Sequence, residues 1–517
     1  MNGSSGNASL SPNRQRIIAL LLCLLPMTAL ADARFAKTGD FTRDQVTKMA
    51  RELAESSFEP LPEAPEYLRE LDYDEYRAIR FRPDKALWAD SNRPYRMQLF
   101  HPGVYFNNPV EIAVVEGNKA THLSYSPDLF TVEPPATIQL PQEDIGFAGL
   151  RLHTPLNKPD IWDELVVFQG ASYFRSIGRH QNYGLSARGL AVKTGAPEGE
   201  EFPVFRAFWV EKPSDKANSV VVHALLDSES LTGAYRFTIR PGDQTMMDVE
   251  ATLFPRVELD NIGLAPGTSM YYFSQSNRQG IDDFRPQVHD SDGLLMVNGR
   301  GERIWRPLAN PSELQISAFM DTSPIGFGLM QRDRDFAHYQ DLEAQYETRP
   351  SLWVEPVGDW GEGEVVLTEI PTNAEIHDNI VAFWKPATPL EPQQPFSFAY
   401  RLSWGNGPQA SPDTLKVLST RQGRANIAEP GPERLFVIDY APVNESAALP
   451  EALPEATLNA SAGRTSNLVV RKNPKTNGYR VSFQLDPQDA DLSELSLSLK
   501  LPDQRQAEAW VYRWTAE

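Results

Sequence analysis

The sequence lacks most of the features that would tie it to a familiar chemistry. Its 517 residues contain one cysteine, Cys23, and the eight histidines are scattered with no pair four residues apart. Phosphate-binding, dinucleotide-binding and nucleophile-elbow motifs are also missing. Without clustered thiols or imidazoles, a structural zinc site has no ligands. We therefore predict no metal site and no cofactor.

Positive charge is also scarce relative to negative charge. The chain has 49 Lys and Arg residues against 69 Asp and Glu residues, a formal net charge of −20. A surface this acidic repels phosphate backbones and anionic lipids, which argues against nucleic acid as a partner. Neutral, polyhydroxylated or cationic ligands remain compatible with this charge.

The N-terminal segment predicts export. Arg14 and Arg16 precede an apolar run over residues 17–25, and an Ala-Leu-Ala sequence ends at Ala31. A basic start, a short apolar centre and small residues at the cleavage point form a secretory signal peptide. The run is too short to span a membrane, which takes roughly 20 apolar residues. We predict a cleaved Sec-type signal peptide over residues 1–31, removal of Cys23 with it, and a periplasmic protein that does not span the membrane.

The remaining chain reads as mainly β. The 42 prolines and 32 glycines argue against a helical fold, although a capping-box pattern at Thr42 predicts one helix that extends to Glu55. Beyond it, period-two alternation as in Tyr235, Phe237 and Ile239 is typical of strands.

The prolines also predict a domain boundary. Residues 387–394 are proline-rich and cannot continue a central strand. Asn477-Gly478 after this segment predicts a hairpin. The predicted fold class is all-β, with a large N-terminal antiparallel β-sandwich over residues 32–386. A connector over 387–394 and a smaller immunoglobulin-like β-sandwich over 395–517 follow.

Two aspartates stand out as candidates for chemistry. Asp290 lies in the polar string 289–294, and Asp378 lies directly before a strongly apolar segment. Glycoside hydrolysis needs two carboxyl groups, one protonated and one ionised. Burial beside apolar residues would raise the pKa of Asp378 and suit it to the acid role. Asp290, in a polar segment, would suit the base role, and an exchange of the two roles stays open. The alternative is that both residues cap turns at strand ends, as most loop aspartates do.

Five strings of residues carry a resemblance to a known family. They are FQGASYFR (168–175), QNYGLSARGL (181–190), HDSDGL (289–294), RPSLWV (349–354) and DNIVAFW (378–384). In these strings the chain resembles the osmoregulated periplasmic glucan biosynthesis protein family of the G and D types. The missing twin-arginine pair makes it more similar to the G type. The resemblance implies a large β-sandwich joined by a short connector to an immunoglobulin-like domain.

The resemblance also implies a function and a site. The family makes glucans whose backbones are largely β-1,2-linked glucose, and members have been assigned to an inverting endo-β-1,2-glucanase class. On this basis Asp378 matches the general acid and Asp290 the general base. Tyr346 and Glu375 match positions that line the same cleft.

Further side chains near these strings are predicted to bind sugar. Aromatic rings offer flat apolar faces to glucose, and charged side chains bond its hydroxyl groups. The alternative is that the aromatic residues belong to the core. The candidates are Trp353, Trp384, Tyr173, Tyr183 and Arg175.

Two function classes follow. The first is a glycoside hydrolase that trims or releases nascent glucan, with β-1,2-glucan as its ligand. The second is a non-catalytic glucan-binding scaffold that passes polymer from an inner-membrane glucan synthase to branching enzymes. The synthase is an expected partner under both.

Overall fold

Short helices and turns account for little of the chain. A computed structural model describes residues 33–426, 428, 431–444 and 446–516, so the predicted signal peptide lies outside the described residues. The described helices are α1 (Arg43–Ala54), α2 (Glu66–Arg69) and α3 (Tyr73–Ala78), with 3₁₀ turns at Pro83–Lys85, Pro127–Leu129, Phe336–His338 and Tyr346–Thr348. The helix predicted from the capping box is confirmed as α1, and the backbone N–H of Thr42 donates to Gln45 Oε1 at 2.7 Å.

Strands are by far the commonest regular structure of the described chain, which confirms the predicted all-β class. From the N-terminus they are β1 (Gly39–Asp40), β2 (Ile79–Phe81), β3 (Arg96–Phe100), β4 (Glu111–Glu116), β5 (Lys119–His122), β6 (Phe130–Val132), β7 (Gly149–Thr154), β8 (Asp163–Gln169), β9 (Tyr173–Ser176), β10 (Ser186–Arg188), β11 (Ala191–Val192), β12 (Val204–Glu211), β13 (Val220–Asp227), β14 (Leu231–Arg240), β15 (Thr245–Pro255), β16 (Ile262–Ser269) and β17 (Tyr271–Phe273). They continue as β18 (Val288–His289), β19 (Gly293–Val297), β20 (Arg303–Pro307), β21 (Gln315–Thr322), β22 (Gly326–Met330), β23 (Ser351–Val357), β24 (Glu362–Glu369), β25 (Ile380–Pro386), β26 (Phe396–Gly405), β27 (Leu415–Arg424), β28 (Arg434–Pro442), β29 (Glu455–Ala460), β30 (Arg464–Asn473), β31 (Gly478–Asp486), β32 (Leu492–Lys500) and β33 (Ala509–Thr515).

Two large sheets pack face to face. One has fifteen strands in the order β1-β5-β4-β12-β13-β14-β15-β26-β23-β22-β19-β20-β33-β32-β29, and the other has ten, β21-β24-β25-β16-β10-β9-β8-β7-β3 with β11 beside β16. Their inner faces meet in one apolar core, where Phe168 and Phe174 of the second sheet contact Phe237 of the first. Alternation along β14 puts Tyr235, Phe237 and Ile239 in this core. Burial of such aromatic and aliphatic side chains is the main stabilising contribution to a sandwich.

The C-terminal strands form a second, smaller sandwich. The four-stranded sheet β27-β28-β31-β30 faces β33-β32-β29, and this four-and-three division is that of a constant-type immunoglobulin domain. Phe436 and Phe483 pack against Trp510 between the two layers. The predicted hairpin at Asn477-Gly478 is present, with β30 and β31 paired from Asn473 and Gly478 outward. Parallel pairing of β20 with β33 makes the smaller sandwich continuous with the fifteen-stranded sheet.

The boundary drawn from the prolines requires a correction. The sequence assigned β26 to the second domain, but β26 pairs with β15 and β23 in the middle of the fifteen-stranded sheet. The proline-rich segment is attached to the larger sandwich too, since Leu390 forms a two-way backbone bridge with Leu259. The division into two domains stays a proposal, and we place it between the end of β26 and the start of β27.

Candidate active site

Neighbouring strands of the ten-stranded sheet place Asp378 beside the predicted sugar-binding residues. Within this sheet Ile380 of β25 pairs with Ser269 of β16, so Asp378 lies two residues before the start of that ladder. On the other side of β16, β10 pairs with β9 so that Arg188 lies opposite Tyr173. Asp378 acts electrostatically on Tyr173, and Arg188 acts on Asp378, so the three side chains share one region.

A short hairpin brings Asp290 to the same region. Strands β17 and β18 pair through Tyr271 and His289, and the N–H of Asp290 donates to Met270 O at 2.8 Å. The buried side chain of Asn379 joins this hairpin to β25. Its Oδ1 accepts from the N–H of Tyr271 at 2.8 Å, and its Nδ2 donates to Ile370 O at 3.0 Å. Asn379 therefore fixes the backbone next to Asp378 against the hairpin that ends at Asp290.

Asp290 is a buried carboxylate with a single cationic contact. Its side chain is ion-paired with Arg349 and the residue is 5% exposed. Burial raises its pKa to about 6, and the neighbouring charge of Asp378 acts in the same direction, while Arg349 and Arg175 act to lower it. A carboxyl group with this pKa exchanges its proton close to neutral pH, which general acid–base catalysis requires.

Asp378 differs from the expectation drawn from its apolar neighbours. The sequence predicted a side chain buried beside the strand, but the structure shows the side chain of Asp378 exposed to water. Protein still surrounds it on most sides, and this desolvation raises its pKa, while Arg188, Arg175 and Arg349 act to lower it. No hydrogen bond or ion pair holds its carboxylate among the described residues. The carboxyl group is thus open to water on one side and still desolvated by the surrounding protein, and the pKa is raised in the direction that was predicted.

Tyr346 and Glu375 also lie in this region. Tyr346 donates its hydroxyl hydrogen to Glu375 Oε2 at 3.1 Å, and the guanidinium of Arg349 lies 4.2 Å from the centre of the Tyr346 ring. Burial raises the pKa of the Tyr346 hydroxyl, so it stays a hydrogen-bond donor. Two of the predicted cleft residues are therefore linked through Arg349 to Asp290.

Arg285, which sequence reasoning missed, ties three loops together at this rim. Its guanidinium pairs with Asp283 at 2.8 Å, Asp341 at 2.9 Å and Glu375 at 2.8 Å. Each of these loops exposes one large apolar side chain at the surface, and exposed apolar groups gathered at a cleft are typical of binding surfaces. These side chains are Phe284, Leu342 and Ile376, exposed by 77%, 80% and 81%.

The predicted residues Tyr173, Arg175 and Tyr183 lie together near a surface cavity. Tyr173 and Arg175 line a cavity of about 370 Å³ together with Tyr105, whose ring is 81% exposed. Arg175 lies over the ring of Tyr183 at 4.6 Å, and Tyr183 donates to Glu164 O at 3.0 Å. Tyr183 thus supports Arg175 and has one ring face covered. Tyr105 was missed because an isolated aromatic residue in a loop carries no periodic signal.

Trp353 and Trp384 do not reach the site and are corrections to the predicted set. They are 2% and 0% exposed, and both belong to hydrophobic cores. In each strand these rings fall on the inward side, since alternate side chains of a strand point to opposite faces. Neither ring can offer a face to a ligand.

Comparison with known proteins assigns the chain to a family. Residues 41–514 match the family described as "Periplasmic glucan biosynthesis protein, MdoG". The chain belongs to this family. The assignment agrees with the resemblance seen in the five sequence strings, and it gives the protein a role in periplasmic glucan biosynthesis.

Curated relatives are similar over nearly the whole length. The chain is 61% identical over 483 residues to "Glucans biosynthesis protein G" of Vibrio cholerae serotype O1, which covers 93% of this chain and 88% of the relative. It is 59% identical to the protein of the same name from Shewanella putrefaciens, with the same coverage. A galactose mutarotase related enzyme from Lactobacillus acidophilus aligns at 8% identity over 46% of this chain and 96% of its own, with a TM-score of 0.21, which is too low to bear on the fold. No helix among the described residues has the length and apolar character needed to cross a membrane.

Proposed function

We propose that the protein is an inverting endo-β-1,2-glucanase that acts on nascent periplasmic glucan. The observation that carries the proposal is the meeting of Asp290 and Asp378, from separate segments, in one arginine-lined cleft. One carboxylate is buried and ion-paired, and the other is open to water and unpaired among the described residues. Glycosidases use such a pair of carboxyl groups in two different protonation states.

The contacts of the two residues favour distinct roles. Arg349 stabilises the ionised form of Asp290, so Asp290 is the group suited to accept a proton from water. Both carboxyl groups have a raised pKa, but Asp378 has no ion pair to hold its charge among the described residues, so it is the group suited to donate a proton. The roles match those that the resemblance implied, and they are supported by the ion pair at Asp290 together with the desolvation of Asp378.

In the proposed reaction the glycosidic oxygen receives a proton from Asp378, directly or through an intervening hydroxyl group, as its bond to C1 breaks. Water attacks C1 from the opposite face and gives its proton to Asp290. Two shorter chains leave, the new reducing end has inverted configuration, and both carboxyl groups return to their starting states by exchange with solvent. Tyr346, Glu375, Tyr173 and Arg175 would position the sugar rings through hydroxyl bonds and ring contacts.

A non-catalytic scaffold is the second candidate. The family description specifies biosynthesis, which a protein that binds glucan and passes it from a membrane synthase to later enzymes would also serve. Under this proposal the cleft binds chain without cutting it. The smaller sandwich would then provide the surface for docking the synthase.

Reducing-end release from linear β-1,2-glucan separates the two candidates. The hydrolase proposal predicts release by the wild-type protein and a loss of roughly 10²–10⁴-fold in Asp378→Asn and in Asp290→Asn. Asp282→Asn, an exposed aspartate on the loop before Arg285, is the matched control and should keep full activity. Equal, negligible release by the wild type and both variants, with glucan binding intact, would favour the scaffold.

A further inference from the structure

A second cavity lies apart from the two aspartates. It encloses about 980 Å³ between the fifteen-stranded sheet and the sheet β27-β28-β31-β30, and neither Asp290 nor Asp378 lines it. One wall includes His289, Asp292 and Arg334, and the other includes Leu418 and Thr476. Its volume is at the upper end of the range for small-molecule sites. We refer to this cavity as the inter-sheet groove.

His289 places an unpartnered acceptor at the inter-sheet groove. The amide of Gln331 donates to the carbonyl oxygens of His289 and Tyr346, which fixes its orientation, and its Oε1 lies 2.9 Å from His289 Nδ1. An amide oxygen only accepts, so Nδ1 carries the proton and Nε2 presents a lone pair. Burial lowers the pKa of His289 to about 4, so the ring is neutral near pH 7. Nε2 is buried without a hydrogen-bond partner among the described residues.

Three more polar atoms on the same walls are unpartnered. Asp292 Oδ2 accepts from the N–H groups of Arg332 and Asp333, each at 3.1 Å, but its Oδ1 is buried with no partner among the described residues. Arg334 donates through Nη1 to Glu347 O at 3.0 Å and to the carbonyl oxygen of Arg349. Its Nη2 is buried and has no hydrogen-bond partner among the described residues. The hydroxyl group of Thr476 is also buried without a hydrogen-bond partner among the described residues. Buried polar groups nearly always have partners, and these four atoms on one cavity are complementary to a ligand that carries both donors and acceptors.

Several charges of the inter-sheet groove are paired with one another, and those without an ion pair among the described residues carry both signs: Lys416, Lys475 and Arg334 against Asp292 and Asp335. Arg421 and Arg480 both contact Asp439, at 3.5 and 2.8 Å, and Asp333 is paired with His338 at 2.7 Å. Cations that already face carboxylates attract an anionic ligand only weakly. The orphan acceptors of His289 and Asp292 likewise disfavour an anion and favour hydroxyl donors.

Two exposed apolar side chains complete the walls. Phe336 and Leu418 line the inter-sheet groove from opposite sides and are 38% and 45% exposed. A sugar ring has polar edges and apolar faces. It therefore fits a site where atoms that can hydrogen-bond hydroxyl groups lie beside an aromatic and an aliphatic side chain.

We propose that the inter-sheet groove is a second binding site for a neutral polyhydroxylated chain, separate from the cleft of Asp290 and Asp378. Its identification as the glucan itself rests on the proposed function, whereas the preference for a neutral polyol rests on the groove alone. The two sites share a wall, since His289 directly precedes Asp290 and Arg334 donates to the carbonyl oxygen of Arg349. A chain held in the groove is therefore held one layer of side chains away from the cleft.

Hydrogen–deuterium exchange with linear β-1,2-glucan tests the proposal. We would use the Asp378→Asn protein, so that chain is not cut during labelling, and follow residues 416–421 and 473–476 on the small-sandwich wall. Leu418→Arg fills the groove from an exposed position, and Leu468→Arg is the matched control, since Leu468 is 39% exposed in the same small sandwich but does not line the groove. Phe336→Ala provides a second variant on the opposite wall.

The proposal expects glucan to slow exchange in both segments and Leu418→Arg to abolish that protection, with at least a tenfold loss of affinity for long chains. Leu468→Arg should behave as the parent, and moderate salt should leave the protection unchanged. Absence of protection in the parent, or protection that survives both Leu418→Arg and Phe336→Ala, would overturn it. Protection of the groove by a protein whose wild type releases no reducing ends would leave this inference standing while the proposed hydrolase failed.

Discussion

Two buried carboxylates of this molecule meet arginine in very different ways. Glu508 lies at the junction of the two sandwiches. It accepts two hydrogen bonds of 2.8 Å from Arg332 and one of 2.9 Å from the N–H of Val417, and Arg303 lies 3.5 Å away. Asp290, in the cleft, has Arg349 on one oxygen and the charge of Asp378 nearby. Both residues are nearly inaccessible to solvent, at 1% and 5% exposure.

The difference appears in the protonation of the two groups. Burial acts to raise the pKa of Glu508, but Arg332 and Arg303 outweigh it and hold the pKa below its ordinary value. At Asp290 burial prevails, and the pKa is raised to about 6. A carboxylate that accepts hydrogen bonds on both oxygens stays ionised near neutral pH, and its role is structural. A buried carboxylate with only one cationic partner can exchange a proton near neutral pH, which suits it to acid–base catalysis.

The largest effect on stability is expected at the junction. Glu508→Gln removes the charge that Arg332 and Arg303 share, leaving two cations without their partner. Breaking a buried ion pair from one side costs about 3–5 kcal/mol. Urea unfolding should show this loss, while Asp290→Asn, which resembles the protonated form that the cleft already tolerates, should change stability far less. Equal losses in the two variants would contradict the comparison.

The two sites should also respond to pH with opposite signs. Since the pKa of Asp290 is raised from 3.8 to about 6, its ionisation costs stability progressively as pH rises from about 4 to 6. The lowered pKa of Glu508 makes its contribution complete above pH 4.5 and lost as pH falls below that value. Relative to wild type, Asp290→Asn should therefore gain stability between pH 4 and 6, whereas the cost of Glu508→Gln should shrink in acid. Denaturant midpoints measured from well below pH 4 up to pH 6 give both slopes.

Arg349→Gln would remove the ion pair of Asp290. Arg349 acts to lower the pKa of both Asp290 and Asp378, so both limbs of the pH–rate profile should move to higher pH, the acid limb from its expected place near 6. Arg300→Gln, at a guanidinium whose side chain is 80% exposed, is the control. A profile of wild-type shape in the Arg349 variant would show that this ion pair does not tune the site.

Gly184→Ala should produce a weaker form of the same shift. A β-carbon at Gly184 would lie 2.9 Å from Cβ and 3.2 Å from Cδ of Arg349, so the stem of that side chain must move by a few tenths of an ångström. We expect a displacement of the acid limb in the same direction as in Arg349→Gln but smaller. The pH profile of kcat/KM measures it, and a shift in the opposite direction would contradict the geometry.

The smallest effect is expected at Tyr105. Removing its exposed ring in Tyr105→Ala takes away one contact surface at the cavity lined by Tyr173 and Arg175 and leaves both carboxyl groups in place. KM for long glucan should rise several-fold with kcat nearly unchanged, because a lost contact of about 1 kcal/mol affects ground state and transition state equally. Tyr73→Ala, at a tyrosine that is 61% exposed elsewhere on the surface, is the control.

Local signals predicted much of the fold. The capping box gave α1, and Asn477-Gly478 gave the hairpin of β30 and β31, because both depend on neighbouring residues. The boundary failed because alternation identifies β26 as a strand but cannot say which sheet it joins. The partner of a strand depends on contacts with residues that can lie more than a hundred positions away in the sequence, and a local sequence pattern does not reveal such contacts.

The candidate site shows the same limit. The sequence strings implied, through the family resemblance, that Asp290, Asp378, Tyr346 and Glu375 line one cleft, and the roles of these residues stay a prediction. They could not show that Trp384 faces the core, since the side of a strand that is buried depends on the partner sheet. Nor could they show the exposure of Asp378, which follows from its position before the start of β25.

Proton NMR of the first product released from linear β-1,2-glucan tests the central claim most directly. Anomeric signals recorded within the first minutes, before mutarotation, report which face of C1 the water attacked. The account predicts that wild-type protein releases the α-anomer first and that Asp290→Asn releases none above background. A β-anomer as the first product, or equal release by Asp290→Asn, would contradict the assignment of Asp290 and Asp378 as an inverting pair.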